Sequence, residues 1–189
     1  TTEYGGLDGK TNDVDAVLAS HPWEECRGIG HSFGYNRFET VDDYMTNERC
    51  IESLAEKCSR GGNLLLNIGP DATGLIPVIM QERLLAIGRW LSVNGEAIYG
   101  TTAWENRPST MPQDRVYYTK KGAVVYAIVF GSVERIRVRN IGQVKSVGIV
   151  GDTNKVDWRQ VGDDVEIMMS LFRQGALPSE HAIVFRITK

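Results

Sequence analysis

The sequence predicts an α/β domain followed by an all-β domain. In residues 1–102, two helical patterns alternate with two short apolar runs that are typical of strands. From residue 103 onward, β-rich runs recur every roughly 8–15 residues, with Gly, Asn and Asp between them. Strands that alternate with helices indicate a parallel sheet, and short strands at regular spacing indicate an antiparallel β-sandwich. We therefore expect two architectures, with the boundary at 102/103 in the segment GTTAWENRPST.

The first domain opens with a polar segment over residues 1–22, and the run ECRGIG (Glu25–Gly30) predicts its first strand. Residues 47–60 carry Cys, Ile, Leu, Ala and Cys side chains at helical spacing, which predicts a helix. The pair Gly61-Gly62 follows where a left-handed residue is expected to end that helix.

The second strand is predicted from the run NLLLNIG, residues 63–69. Its large aliphatic residues do not alternate with polar ones, which favours a strand covered on both faces, as in a parallel sheet. The loop PDATGLI leads to Pro77, a favoured first residue of a helix, and apolar spacing predicts a helix over 78–94 that the pair Asn94-Gly95 ends. Strand, helix, strand, helix is the repeat of a parallel α/β domain.

The second domain shows strand patterns only. The stretch RVYYTKKGAVVYAIVF predicts two strands around a Lys-Gly turn. Five more strands are predicted from the runs RIRVRNI, VKSVGIV, VDWRQ, VEIMMSL and AIVFRIT. In RIRVRN, Arg alternates with Ile and Val, which predicts one solvated face and one buried face.

Composition excludes several function classes. With 42% hydrophobic and 24% charged residues, the chain of 189 residues resembles an ordinary soluble protein. A net charge of −3 and a pI near 5.7 give no basic surface, so we expect no nucleic-acid partner. No apolar run is long enough to cross a membrane, and we expect no membrane partner. The three cysteines form no CxxC pair, so we expect buried free thiols, no metal and no cofactor.

Two loops are the predicted ligand site. In a parallel α/β sheet, ligands bind at the carboxyl ends of the strands. That rule selects residues 31–40, after the first predicted strand, and residues 69–76, after the second.

Long motifs carry a family resemblance. PWEECRGIGHSFGYN and GGNLLLNIGPDATGLIPVIMQERLLAIGRWLSVNGEAIYGTTAW closely resemble the C-terminal part of the α-L-fucosidases of glycoside hydrolase family 29. The N-terminal TTEYGG is similar to the family's TPEY segment, with Thr2 where Pro is usual. The resemblance implies a partial (β/α)8-type barrel segment in residues 1–102 and an antiparallel β-sandwich in residues 103–189. It also implies retaining hydrolysis of terminal α-L-fucosyl glycans or glycoconjugates by two carboxyl groups.

The resemblance also implies what is missing. In the family, the nucleophile is an Asp on a barrel strand upstream of every motif seen here, so the chain would hold roughly the last quarter of the barrel. Two βα units cannot close a barrel, and unpaired strand edges recruit partners. We expect a homo-oligomer whose copies cover the exposed edge, or a β-sandwich domain that covers it. A non-catalytic fucose- or glycan-binding module and an assembly fragment without ligand are the alternatives to a glycosidase.

Two glutamates are the catalytic candidates. By resemblance, Glu3 matches the family's acid/base, and the alternative is a solvated terminal glutamate. Glu24, flanked by Trp23 and Cys26, is expected to be partly buried, either as a catalytic group or as a hydrogen-bonded structural carboxylate. Glu25 should point the opposite way in a strand, so one of the two neighbours should be solvated.

Aromatic residues are the first candidates for sugar binding. The family places an aromatic side chain at the position of Phe33 against the C6 methyl group of fucose, and an aromatic ring suits that apolar corner of a deoxy sugar. The alternative is a ring that only packs the loop. Trp23 and Tyr35 are further substrate-binding candidates, as is His31, for which a hydrogen-bonding role is the alternative.

Two polar residues near the second loop complete the substrate-binding set. Asn67 can either support the end of the sheet or contact the ligand directly. Asp71 is a candidate for ligand contact, although its position in a turn favours a capping role over chemistry.

Overall fold

The computed structural model describes residues 21–108, 114–131, 134–169 and 179–189, and it is a mixture of helices and sheets. The chain divides into two compact units, Thr1–Ser92 and Val93–Lys189, which we call the front unit and the back unit. The division lies earlier than 102/103, and the domain boundary predicted there stays a prediction. Glu3 lies outside the described residues.

The front unit contains the predicted strand, helix, strand, helix order. Strands β1 (Glu24–Gly28) and β2 (Asn63–Asn67) pair in parallel, with Glu24 opposite Asn63 and Gly28 opposite Asn67. Helix α1 (Asn47–Ser59) connects them, and helix α2 (Val78–Asn94) follows β2, starting one residue after Pro77. A 3-10 turn, Val41–Asp43, lies between β1 and α1, and a second, Gly95–Ala97, follows α2.

Local sequence signals set both ends of α1. The Thr46 hydroxyl oxygen accepts a hydrogen bond from the Arg49 N–H at 3.1 Å, which caps the N-terminus. Gly61 has φ of 82°, and the Gly62 N–H donates to the Lys57 carbonyl at 3.0 Å, which is the Schellman arrangement. The predicted glycine stop is confirmed.

The two faces of the β1–β2 sheet differ in cover. On the helix face, Leu66 packs against a cluster that includes Cys50 of α1 and Met80 of α2. The opposite face, which we call the open face, consists of Glu24, Cys26, Asn63 and Leu65, all exposed, with Leu65 50% exposed. The prediction of a strand covered on both faces is therefore wrong for the described residues, because both helices lie on one side of a sheet of two strands.

The cysteine prediction is correct in part. All three cysteines are free, and Cys50 is buried while Cys58 is partly buried. Cys26 is exposed, so the expectation of buried thiols is wrong there. Its side chain belongs to the open face, where the structure describes no covering element.

The back unit has two antiparallel sheets, with strand orders β3-β4-β5-β10-β7 and β6-β9-β8. The strands are β3 (Thr102–Ala103), β4 (Val116–Lys121), β5 (Val124–Phe130), β6 (Arg135–Val138), β7 (Ser146–Ile149), β8 (Trp158–Val161), β9 (Asp164–Met168) and β10 (Ala182–Thr188). The seven strands predicted from the sequence are confirmed, and β3 is additional.

Alternation along the strands supplies the core of the back unit. On β6, Ile136 and Val138 are buried while Arg135 and Arg137 are exposed, as predicted. Both sheets contribute to one hydrophobic cluster, with Phe185 from the larger sheet and Ile167 from the smaller one fully buried. The β4–β5 turn contains Gly122 at φ of 58°, which confirms the predicted Lys-Gly turn.

Candidate functional site

The loops that follow β1 and β2 leave the sheet at the same end, where the carboxyl ends of both strands lie. The strands are parallel and in register, and the Ile29 N–H donates to the Asn67 carbonyl at 3.1 Å, which extends the pairing to the ends of both strands. The prediction that residues 31–40 and 69–76 lie at one end of one sheet is confirmed. We call residues 29–46 the first loop and residues 68–77 the second loop.

The two loops contact each other directly. The Asn67 side-chain Nδ2 donates a hydrogen bond to the Phe33 carbonyl. Gly69 lies so close to the first loop that a Cβ atom there would overlap the backbone of Gly34 and Tyr35. Only a residue without a side chain allows this approach. Asn67 thus supports the loop, as one of its two predicted roles requires.

A carboxylate shapes the first loop from inside. Glu39 Oε1 accepts the Ser32 N–H at 2.5 Å, and the Asn36 side chain donates to the Ser32 hydroxyl oxygen at 3.0 Å. The Ser32 N–H is the main cause that lowers the pKa of Glu39. Burial, with Glu39 nearby, raises the pKa of Tyr44. Glu39 is therefore an ionised acceptor that fixes the shape of the loop.

His31 contacts Asp43 at the start of the same loop. Its Nδ1 lies 3.2 Å from Asp43 Oδ1, and its side chain is exposed. Asp43 also accepts the Thr40 N–H at 2.6 Å and the Thr40 hydroxyl at 3.0 Å, and these bonds, before the His31 charge, lower its pKa. The geometry agrees with the hydrogen-bonding alternative for His31.

Asp71 organises the second loop. Its Oδ1 accepts the Thr73 hydroxyl at 2.6 Å, the Thr73 N–H at 2.8 Å and the Leu75 N–H at 3.1 Å. The Thr73 hydroxyl is the main cause that lowers the pKa of Asp71. The prediction that Asp71 caps a turn is confirmed by these bonds.

Three aromatic side chains of the first loop are exposed. Phe33 is 61% exposed and Phe38 is 77% exposed, and Tyr35 is exposed as well. The guanidinium carbon of Arg37 lies 4.8 Å from the centre of the Phe38 ring. All three rings belong to one loop, and exposed apolar rings are available for contact with a ligand or a partner.

Trp23 and Glu24 lie at the opposite end of the sheet. The Asn63 N–H donates to the Trp23 carbonyl at 3.0 Å, and the Trp23 ring lies against Gly62. β1 separates Glu24 from the first residue of the first loop by roughly 16 Å, at about 3.3 Å per residue. The structure therefore brings His31, Phe33, Tyr35, Asn67 and Asp71 together and leaves Trp23 and Glu24 apart from them.

The burial predicted for Glu24 is wrong. Its side chain is exposed on the open face, whereas Glu25 points to the helix face and forms an ion pair with Lys57 of α1 at 2.8 Å. The prediction that one of these neighbours is solvated is correct. Pattern alone could not say which face the helices cover.

Sequence reasoning missed the residues that shape the first loop, above all Glu39 and Tyr44. A Thr-x-x-Asp pattern at Thr40–Asp43 was the available signal for the turn that Asp43 closes. No pattern indicates the Glu39 to Ser32 bond, because it follows no helix or strand period.

Two functional features are absent from the described residues. No group of three or more His, Cys, Asp or Glu side chains in these ranges could hold a metal ion. In the same ranges, no helix has the length and hydropathy needed to span a membrane.

Comparisons with known proteins identify the family. A family model described as alpha-L-fucosidase matches residues 3–96. An alpha-L-fucosidase from Branchiostoma floridae is 37% identical over 177 residues, which cover 90% of this chain and 39% of that protein. This chain belongs to the alpha-L-fucosidase family. Another relative, the plasma alpha-L-fucosidase of Rattus norvegicus, is 49% identical over 114 residues, which cover 59% of this chain and 25% of that protein.

Solved fucosidase structures share the fold. The alpha-fucosidase of Thermotoga maritima in complex with a mechanism based inhibitor superposes with a TM-score of 0.74 at 29% identity, over 100% of this chain and 42% of that one. Its complex with fucose gives 0.72 at 30% identity, over 91% and 41% of the two chains. This fucosidase-family chain thus spans about two fifths of the length of such relatives. The family model ends near the end of the front unit.

Proposed function

We propose that this chain is part of an alpha-L-fucosidase that hydrolyses terminal α-L-fucosides with retention, and that its two loops form part of the sugar pocket. The parallel register of β1 and β2 carries the proposal, because it brings the first and second loops to one edge of the sheet. Ligands bind at that edge in parallel α/β folds. Family membership supplies the class of reaction.

The front unit, in this proposal, is a segment of a (β/α)8-type barrel. Both helices pack on one face of the sheet, and the other face is exposed. In such barrels the helices form the outer ring, and the opposite strand faces fill the interior. Cys26 and Leu65 are then interior side chains. The greater length of the relatives leaves ample room for the remaining strands.

Residues 103–189 form the antiparallel β-sandwich in the same proposal. Support comes from the single hydrophobic cluster to which both sheets of the back unit contribute. Aligned antiparallel sheets with a shared core are typical of sandwiches.

Three carboxylates of the two loops do not suit acid catalysis. A retaining glycosidase needs one ionised nucleophile and one protonated acid, whose pKa must be raised. Glu39, Asp43 and Asp71 have lowered pKa values instead, and each accepts hydrogen bonds from its own loop. We assign them a structural role, and we propose Glu3 as the acid/base, with a nucleophile from outside both loops.

Phe33 is proposed to cover the C6 methyl group of fucose. Its ring is exposed at the functional edge of the sheet, where it is available for contact with a ligand. An aromatic ring binds an apolar corner with little loss of conformational entropy. Tyr35, which is exposed next to it, extends the apolar wall.

A second copy of this chain is the proposed partner for the open face of the 189-residue protein. Each strand of the two-stranded sheet has one edge that no other described strand pairs with, and Leu65 exposes half of its surface. Exposed strand edges next to apolar side chains favour association.

Hydrolysis assays on two substrates test the proposed activity. The enzyme of which this chain is proposed to be part, with its intact mass measured, should hydrolyse both 4-nitrophenyl α-L-fucopyranoside and an α-L-fucosyl oligosaccharide. We expect Glu3→Gln to reduce turnover of the oligosaccharide by about 10²- to 10⁴-fold and that of the nitrophenyl fucoside less, since nitrophenolate leaves without a proton. Glu24→Gln is the matched control and should change both rates by less than about twofold. Equal losses in the two variants would contradict the assignment of Glu3.

A non-catalytic fucose- or glycan-binding module is the second candidate. It is favoured by Glu39, Asp43 and Asp71, whose pKa values are lowered and which accept hydrogen bonds from their own loops. Fucose titration followed by tryptophan fluorescence separates the candidates. Binding without turnover supports the module, and neither binding nor turnover supports an assembly fragment.

A further inference from the structure

We infer that Asn67 and Glu39 are positioning residues, which hold the Ser32-Phe33 dipeptide at both ends and thereby set the preference for a sugar with a methyl group at C6. The inference rests on the proposed function, because it takes an α-L-fucoside as the ligand. It adds two residues that do not need to touch the sugar.

The first anchor comes from the sheet. Asn67 is the last residue of β2, and its Nδ2 donates to the Phe33 carbonyl. Its own carbonyl accepts the Ile29 N–H at 3.1 Å, so Asn67 is joined to the continuation of β1. One end of the dipeptide is therefore tied to the hydrogen-bonded carboxyl ends of β1 and β2.

The second anchor comes from within the first loop. The Ser32 N–H donates to Glu39 Oε1 at 2.5 Å, and the lowered pKa of Glu39 keeps this acceptor ionised. Hydrogen bonds to an ionised acceptor are about twice as strong as neutral ones. Glu39 lies beside the buried Tyr44, which limits its own movement.

The ring of Phe33 depends on these anchors because its side chain has little packing of its own. It is 61% exposed, and the next residues, Gly34 and Tyr35, lie against Gly69. A backbone shift at Ser32-Phe33 therefore moves the ring directly. Misplacement by about 1 Å can cost as much as about 100-fold in rate.

The experiment compares two substrates that differ at C6. An α-L-galactopyranoside has a hydroxymethyl group where an α-L-fucopyranoside has a methyl group. We measure kcat/KM for the 4-nitrophenyl glycoside of each sugar, and we call their quotient, fucoside over galactoside, the methyl preference. Both values come from one preparation, so the methyl preference does not depend on the fraction of protein that is folded.

We expect Phe33→Ala to lower the methyl preference by about tenfold, within the range of about 10- to 200-fold for one small apolar group. Asn67→Ala should lower it by about three- to tenfold, through loss of the carbonyl anchor. Asn63→Ala is the matched control, since Asn63 lies at the other end of β2. It should leave the methyl preference unchanged.

Glu39 provides an independent arm with a conservative rescue. Glu39→Leu removes the acceptor for the Ser32 N–H and should lower the methyl preference by about three- to tenfold. Glu39→Gln keeps an acceptor oxygen and should restore at least half of the loss. If Asn67→Ala yields no folded protein, Glu39→Leu and Glu39→Gln alone test whether the anchors set the methyl preference.

The double variant Phe33→Ala/Asn67→Ala separates positioning from direct ligand contact. If Asn67 acts through Phe33, its loss has no additional effect once the ring is gone. A further fall in the methyl preference would overturn the inference, and so would an unchanged value in both Asn67→Ala and Glu39→Leu when Phe33→Ala lowers it. A parent protein that hydrolyses neither glycoside contradicts the proposed function itself, and the inference falls with it.

Discussion

The back unit buries its apolar residues, and the front unit displays many of them. In β5 and β10 of the back unit most positions are buried, whereas β1 and β2 of the front unit have no fully buried position. Among the described residues, eight of the ten exposed large hydrophobic side chains belong to the front unit: Phe33, Tyr35, Phe38, Val41, Leu65, Leu75, Val78 and Leu85. The back unit contains Tyr99 and Val161.

Strand number explains the difference in burial between the strands of the two units. β5 has a neighbour on each side, β4 and β10, and packs on a core shared by two sheets. Within the described residues β1 and β2 pair only with each other, with helices on one face. The back unit is thus stabilised by its own core, while the front unit retains apolar surface that a ligand or a partner can bury. We therefore expect ligand and partner binding at the exposed apolar surface of the front unit.

A Phe→Ala substitution should destabilise the back unit strongly and the front unit only slightly. Phe185→Ala removes a ring with no exposed surface from the back-unit core, and we expect it to lower the free energy of unfolding by about 3–5 kcal/mol. Phe33→Ala removes an exposed ring from the front unit and should cost less than about 0.5 kcal/mol. Denaturant unfolding followed by tryptophan fluorescence checks both values. Similar losses would contradict the contrast between a closed unit and an open one.

An acidic residue on the open face should prevent association. Leu65→Asp places a charge where we propose that a second copy packs, and we expect the assembly to become monomeric because a buried unpaired charge costs several kcal/mol. Leu85→Asp is the matched control, since Leu85 is another exposed leucine of the front unit, at 61% against 50% for Leu65. Light scattering at micromolar concentration measures the change. A parent protein that is already monomeric would remove the proposed partner.

Gly→Ala substitutions at two positions of the front unit should change the free energy of unfolding in opposite directions. Gly69→Ala forces a methyl group into the backbone of Gly34 and Tyr35, so we expect the free energy of unfolding to fall by about 1–3 kcal/mol. Gly88 lies in α2, and a Cβ atom added there would meet nothing within 4 Å, so Gly88→Ala should raise stability by about 0.5–1 kcal/mol. Thermal unfolding measures both. A neutral Gly69→Ala would show that the two loops can separate without cost.

The sequence predicted well what depends on local pattern. Alternation in RIRVRN gave the two faces of β6, and the Gly61-Gly62 pair gave the end of α1, because period and turn conformation are properties of the segment itself. The common edge of the two loops also followed from the parallel βα repeat.

What failed depends on neighbours far away in the chain. Glu24 and Cys26 were expected to be buried, but cover on one face of a strand comes from other elements, and the described helices cover only the face of Glu25. β3 was missed because two residues carry no period. The bond from Ser32 to Glu39 was missed because it links irregular loop positions.

The reactivity of the cysteine thiols measures whether the open face is exposed or covered. Burial raises the pKa of Cys50 and of Cys58 to about 11, so neither thiol should react with a disulfide reagent at neutral pH. Cys26 is exposed, so we expect one reactive thiol out of three in the native monomer and all three after unfolding. In an assembly that covers the open face, labelling of Cys26 should slow by about tenfold or more, in proportion to the fraction of protected protein. Fast labelling of Cys26 in a stable dimer would show that the second copy packs on a surface other than the open face.

The back unit also contains an ion-pair group on β6, β9 and β8. Its substitution should change the free energy of unfolding less than the substitutions considered above. Glu166 lies opposite Arg137 and opposite Arg159 in the two pairings, and Arg159 Nη2 lies 2.6 Å from Glu166 Oε2. The hydrogen bond from Arg159 is the main cause that lowers the pKa of Glu166 from 4.5. Because the folded value is the lower one, the stabilisation is present above about pH 4.5 and is lost as the pH falls through the folded value.

Glu166→Gln should therefore destabilise the back unit at neutral pH and have progressively less effect on acidification, so that the two stability curves converge. Arg159 is 66% exposed, and salt should weaken the difference. Unfolding of the back unit between about pH 7 and about pH 3, at low and high salt, tests this. Curves that stay parallel would mean that Glu166 contributes through packing rather than through its charge.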